Sequence, residues 1–281
     1  MNYRHAFHAG NFADVLKHWV LLLILERLAA KPKPFFVLDT HAGAGFYDLA
    51  REAAGRTGEA AQGIGRLLAD RASAPQSLDP YLDAVARLNA GEPALRWYPG
   101  SPYLIAERLR PQDRLIACDL QPDEHRALRE TLAPFPRAKA LNGDGYAAAP
   151  SMLPPPERRG LLLIDPPFES RTEFEAVAKA AARAHKRFPQ GATLLWHPIK
   201  DPAAVDAFRA ALPRPAGGLA AVDLAVAAPR RDGPMTACGL TLLNPPFGVT
   251  AQVEADLPAL AERLASGPGA GGRVEWLAPP A

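Results

Sequence analysis

The stretch that most constrains this chain is residues 160–168, Gly-Leu-Leu-Leu-Ile-Asp-Pro-Pro-Phe. Its small and apolar residues run straight into an acid, two prolines and an aromatic ring. Such a run predicts a buried parallel strand, apolar on both faces. The prolines end the strand and restrict the backbone on both sides of Pro166. Asp165 is therefore expected at a strand's C-terminal edge, with Phe168 on the loop beyond it. In open α/β sheets ligands bind at that edge.

The quartet Asp165, Pro166, Pro167 and Phe168 suits one kind of chemistry. An exocyclic aromatic amine is a poor nucleophile because its lone pair is delocalised into the ring. A carboxylate that accepts hydrogen bonds from the NH₂ group returns electron density to nitrogen, and a rigid proline backbone offers a carbonyl as second acceptor. A ring stacked on the base fixes its plane, worth about 1–3 kcal/mol. Together these orient the nitrogen for in-line attack. The pattern occurs twice, however: Asn244-Pro245-Pro246-Phe247 is a second copy. One copy can be turn chemistry alone, and position in the fold has to separate them.

The chain of 281 residues has length for a large core, in one domain or two. A hydrophobic content of 48% and a charged content of 22% describe an ordinary soluble globular protein. The net charge of +2 advertises no broad phosphate-binding surface and leaves room for a local basic patch. Cys118 and Cys238 lack metal-ligand spacing, so no metal is expected, and they suggest a reducing compartment. There is no signal-peptide pattern, and the longest apolar run, residues 19–25, is too short to span a bilayer. A cytoplasmic protein without membrane association is expected.

Taken in order, residues 1–10 carry Tyr3, Arg4, His5, Phe7 and His8 without a clean period and read as an ordered arm. Phe12, Val15, Leu16, Trp19, Val20, Leu23 and Leu28 then recur at helical spacing, ending before Pro32 and Pro34. On spacing alone, Lys17 and His18 belong to this helix's solvated face. Residues 35–39 form a second buried strand, opening into Thr40-His41-Ala42-Gly43-Ala44-Gly45. Asp48 stands where the dinucleotide fingerprint wants a third glycine, which excludes that fingerprint. An acid at the strand end with spaced glycines suits S-adenosylmethionine, which has no pyrophosphate to cradle.

Residues 47–97 lean helical and contain no convincing strand. The next acidic strand end, Asp119, lies 80 residues after Asp39, against about 20 in a minimal nucleotide-binding unit. An inserted helical subdomain over residues 48–97 is the inference, interrupting a domain made of residues 1–47 and 98–281. Ser101 reads as an N-cap with Pro102 at the first helical position. Asp119 ends a strand where an acid can accept from ribose hydroxyls. Residues 138–141 form a weak edge strand followed by Asp144, which either reads an adenine amine or makes an Asx turn. Strands over 192–196, 219–227 and 237–243 bring the total to seven. The order predicts a doubly wound α/β sheet closed by an antiparallel pair. The Gly-rich residues 265–273 read as a flexible loop. If the last strand is antiparallel, Asn244 emerges at the rim opposite Asp165. Catalysis is therefore assigned to Asp165, and Asn244 is structural.

These motifs carry a resemblance across essentially the whole chain. The sequence resembles the class I S-adenosylmethionine-dependent methyltransferases of the adenine-N6 type, and more narrowly the bacterial 23S ribosomal RNA adenine-N6 methyltransferases of the J-type. The most diagnostic segments are Tyr3-Arg4-His5 through Asn11, and residues 13–18, Ala-Asp-Val-Leu-Lys-His. Residues 38–45, 98–102 and 164–167 add to them. The resemblance implies a Rossmann-like seven-stranded sheet and a monomer with no stable protein partner. It implies methylation of one adenine of protein-free or early-assembly 23S rRNA. It further implies that Lys17, His18, His41, Ser101, Asp119, Asp144, Gly145 and Asp165 surround the cofactor, that Asp165 accepts the proton and that Tyr3 reaches the RNA. Two departures stand out: Asp119 replaces the family's usual longer Glu, and Phe168 its common Tyr. Arg4, Arg158, Arg159, Arg230 and Arg231 are candidate phosphate contacts. The rival expectations are an adenine-N6 DNA or glutamine-N5 protein methyltransferase, which use the same quartet, and a non-catalytic RNA-binding module.

Overall fold

A computed structural model describes residues 8–50 and 58–281. Helix α1 (Phe12–Ala29) begins at Asn11, whose side chain accepts from the backbone N–H groups of Ala13 and Asp14. From Ala13 to Leu25 every residue is buried, because the helix is covered on all sides. One flank meets the sheet, and the others meet helices from the middle and the end of the chain. This overturns the expectation of a solvated flank: Lys17 and His18 are buried.

The sheet is built from β1 (Phe36–Asp39), β4 (Arg114–Asp119), β5 (Ala138–Asn142), β6 (Gly160–Ile164), β7 (Ala192–Pro198), β8 (Leu219–Ala225), β9 (Ala237–Leu243) and β10 (Gly271–Ala278). Its order is β10-β8-β9-β7-β6-β1-β4-β5. The five strands from β7 to β5 run parallel. β9 lies antiparallel between β7 and β8, and β10 lies antiparallel against β8. The doubly wound α/β fold is as expected, with one strand more than the seven read from the sequence. That strand begins in the glycine-rich tail. There the missing Cβ serves close packing: a Cβ on Gly272 would stand 2.4 Å from Leu257 Cγ on helix α10 (Val249–Leu264). Here the glycine answers to a tight contact rather than to a need for backbone freedom.

A second correction concerns residues 47–97. Phe46–Asp48 (β2) and Trp97–Pro99 (β3) pair as a two-stranded antiparallel ladder. Three-residue strands are too short to show alternation. Between them lie α2 (Glu59–Gln62), α3 (Ile64–Ala69) and α4 (Asp79–Leu88). Then come α5 (Ser101–Ala106), α6 (Pro122–Leu132), α7 (Gly145–Met152), α8 (Glu173–Arg187) and α9 (Pro202–Ala210). α1, α4, α5, α6 and α10 pack with the core on one sheet face; α7, α8 and α9 cover the other.

The two proline-proline motifs fall on opposite rims. β9 runs against β6 and β7, so Asn244 emerges where the parallel strands begin. There its Oδ1 accepts from Gly217 N at 3.0 Å, while Nδ2 donates to the carbonyls of Pro189 at 2.7 Å and Gly191 at 3.0 Å. Its backbone is left-handed, φ 49°, a conformation Asn tolerates better than most residues. Asn244→Ala is expected to lower unfolding stability by about 2–3 kcal/mol, from three lost hydrogen bonds and a strained φ, read as a reduced urea midpoint with an unchanged m-value.

Candidate active site

The parallel strand ends open into a cleft of about 770 Å³. Register fixes the order of side chains along its floor. Asp39 pairs with Leu163 and Ala117, so Asp165 and Asp119 each project two residues beyond it on the flanking strands. Lys17, His41, Ser101, Asp119, Asp165, Pro166 and Phe168 all line the cleft.

Asp165 is held from behind. Lys17 Nζ donates to its Oδ2 at 2.5 Å and pairs with Asp14 Oδ1 at 2.8 Å. Asp14 is itself buried and accepts from Gly10 N at 3.0 Å. Burial works against the Lys17 ammonium, but the two carboxylates outweigh it and hold its pKa well above the ordinary lysine range. Removing either acid would leave a buried charge undercompensated. The pair occupies Oδ2 and leaves Oδ1 without a protein hydrogen bond among the described residues.

Next to it, Asp39 is fully buried and accepts from Ser101 Oγ at 2.6 Å. Desolvation raises its pKa to about 7 despite that bond. Ser101 is the first residue of α5, whose cap is Gly100 with no side-chain bond; the expected serine cap is replaced by this contact with Asp39. Thr40 Oγ1 donates to Leu163 O at 2.9 Å, so its proton is committed. His41 Nδ1 must then donate to Thr40 Oγ1 at 2.8 Å, leaving Nε2 as an acceptor. Burial pulls His41 down to about 4, so the ring is neutral near pH 7 and its edge meets Tyr146.

Asp119 accepts from Gly43 N at 2.9 Å through Oδ2 and from Gln121 N at 2.8 Å through Oδ1. Each oxygen retains a lone pair, enough for two neighbouring hydroxyls. Asp144 and Gly145 do not line the cleft. Asp144 caps α7 by accepting from Tyr146 N, and a Cβ on Gly145 would stand 2.0 Å from Thr40 O. Gly145 therefore lets α7 close against the end of β1. His18 also stands behind the wall, 2.9 Å from the Tyr98 hydroxyl.

Phe168 is left-handed, φ 50°, a strained conformation for an aromatic residue costing roughly 1–2 kcal/mol. Edge contacts with Phe174 and Trp196 hold it there. Tyr3 and Arg4 lie outside the described residues. Arg158 and Arg159 precede β6, at the far rim; Arg159 donates to the carbonyls of Leu28 and Lys33, which removes it from the cleft. Sequence reasoning missed Asp14 and Trp196. Asp14 had a signal, its i,i+3 spacing from Lys17; Trp196 looked like one more apolar residue of a strand.

The residues present fit S-adenosylmethionine. Two strand-end acids, Asp165 and Asp119, line the cleft: the first can face a sulfonium, and the second keeps acceptor capacity for a diol. Asp39 also gives the protein a pH signature. Its ordinary value is 3.8 and its folded value about 7; folding favours the protonated form, so its contribution is complete below pH 3.8 and fades as pH rises through 7. Asp39→Asn is expected to gain stability relative to the parent between pH 5 and 7.5, measured as the difference in urea midpoints at each pH.

Comparison with known proteins accords with this geometry. Residues 32–278 match the family model described as Ribosomal RNA large subunit methyltransferase D, RlmJ. The chain is 39% identical to ribosomal RNA large subunit methyltransferase J of Haemophilus influenzae and 40% identical to that of Escherichia coli, with 99% of each chain covered in both cases. The crystal structure of protein LPL1258 from Legionella pneumophila superposes with a TM-score of 0.88 at 33% identity, covering 96% of this chain and 98% of that one. The chain belongs to the RlmJ family of ribosomal RNA large-subunit methyltransferases.

Proposed function

We propose that the protein transfers a methyl group from S-adenosylmethionine to the N6 amine of one adenine in 23S rRNA. The observation that carries this reading is Asp165: pinned by Lys17 through one oxygen, open at the other, and followed by two prolines and an aromatic ring at the cleft floor. The bound cofactor supplies an electrophilic methyl on a sulfonium. Asp119 would hold its ribose, and Asp39, Ser101 and His41 shape the floor beneath it. The chain's own residues do the rest. Asp165 Oδ1 and the Pro166 carbonyl accept from the two N6–H bonds, which localises the nitrogen lone pair. Phe168 stacks the base, everted from its helix. As the N–C bond forms and the S–CH₃ bond breaks, its electron pair staying on sulfur as a neutral thioether, the nitrogen becomes cationic and releases a proton to Asp165 or to water. Lys17 keeps the carboxylate from swinging away while the base arrives.

The finer substrate and state follow the family. The RNA is protein-free or at an early stage of assembly, and the enzyme works as a cytoplasmic monomer with no stable protein partner. Tyr3 and Arg4, outside the described residues, are assigned to RNA binding on the family resemblance alone. DNA and protein substrates of the same quartet are the competing reading. Counting radiolabelled methyl groups on purified 23S rRNA, DNA and protein fractions separates them, with label expected on RNA as N6-methyladenosine.

Asp165→Ala is expected to lower kcat at least 100-fold while the cofactor Kd moves less than fivefold, by single-turnover assay and calorimetry; full turnover in this variant would end the assignment. RNA affinity is expected to fall linearly on a log–log plot against salt, with a slope set by a few phosphates, measured by filter binding between 50 and 200 mM salt.

A further inference from the structure

The cleft does not end at Asp165. Strand register continues one step along the sheet: Ile164 pairs with Leu195, and Asp165 and Trp196 are the next residue along each chain, which puts Trp196 on the side of Asp165 away from β1. Asp119, Asp39 and His41 occupy the other side. The Trp196 end therefore lies beyond the reacting acid, away from the strand ends that suit the cofactor. It is walled by Trp196, Pro198, Lys200, Pro234 and Met235, an aromatic ring and apolar surface rimmed by a cation.

This wall is built in advance. Trp196 stands on β7, paired with Leu240 of the adjoining β9, and its ring meets Phe168 with centroids 5.8 Å apart. The indole is thus fixed relative to the ring that stacks the target base. Lys200, exposed on the loop after β7, makes a long contact of 3.4 Å to Gly233 O. The roles proposed above for Asp165, Pro166 and Phe168 leave this end of the cleft without an occupant.

We propose that the Trp196 end of the cleft is a subsite for a nucleotide adjoining the target adenine in the RNA chain: its base stacks on the indole and its phosphate meets Lys200. The inference rests on the RNA-methylating reading above. Everting one adenine carries its chain neighbours to the cleft mouth, and an unstacked neighbour needs a new face. Stacking on an aromatic side chain is sequence-tolerant, so this subsite adds affinity and positioning without demanding one base.

The test uses the full-length enzyme and a synthetic 23S rRNA fragment carrying the mapped adenine, with either the natural base or an abasic nucleotide on each side of it. With the parent enzyme, one abasic position is expected to lower kcat/KM by between about 5-fold and 150-fold, mainly through KM. In Trp196→Leu that penalty is expected to shrink below twofold, while Trp196→Phe retains most of it. Cofactor Kd and thermal melting are recorded for both variants. Should the leucine variant not fold, the phenylalanine variant and Lys200→Ala decide: a retained penalty in the first and a salt slope lower by about 1 in the second support the subsite. An equal abasic penalty in parent and leucine variant, or none at either position in the parent, overturns it. If the parent methylates no RNA fragment at all, the functional reading itself has failed, which is a distinct result.

Discussion

The whole cleft depends on one buried ion cluster. Lys17 reaches from α1 to the end of β6 and is met by Asp14 on its own helix. The segment that leads into α1 and the catalytic strand are thereby locked in one geometry. Burying a lysine is costly unless it is paired, and the two carboxylates, at 2.8 and 2.5 Å, meet that requirement. Everything downstream is position: Pro166 and Pro167 stiffen the exit, and Phe168 is turned into the left-handed region. The cluster makes Asp165 a fixed acceptor rather than a mobile surface carboxylate.

Around it the site uses burial to set charge. Asp39 and His41 follow one another at the same strand end, and desolvation moves them in opposite directions, the acid up to about 7 and the imidazole down to about 4. Near neutrality the floor is less charged than its composition suggests. Asp165 is met by an ammonium and Asp119 by two backbone N–H groups, and burial still pushes the Asp119 carboxyl above its ordinary value.

Much of this was legible in the sequence. Buried parallel strands announce themselves by continuous apolar runs, and β1, β4 and β6 were read to within a residue or so. The separation of the two proline-proline motifs followed from strand direction alone. Other features were hidden because they depend on tertiary contacts. The burial of Lys17 and His18 follows from α1 being covered on all sides, which no helical period reveals. Ser101 looked like a cap because a cap is local, whereas its partner Asp39 is 62 residues away. Trp196 gains meaning only from its register beside Asp165. The tail strand was concealed by glycines whose purpose is contact with Leu257.

That tail strand has one more consequence. β10 and β5 are the outermost strands, and each border is unsuited to growth. On β10 the outer residues include Gly271, Gly272, Arg273 and Glu275, with Pro279 and Pro280 directly after; on β5 Lys139 is exposed. Charge, glycine and proline on a free edge discourage backbone pairing with another molecule. The same tail that lengthens the sheet also terminates it, leaving little template on which aggregates or swapped strands can nucleate.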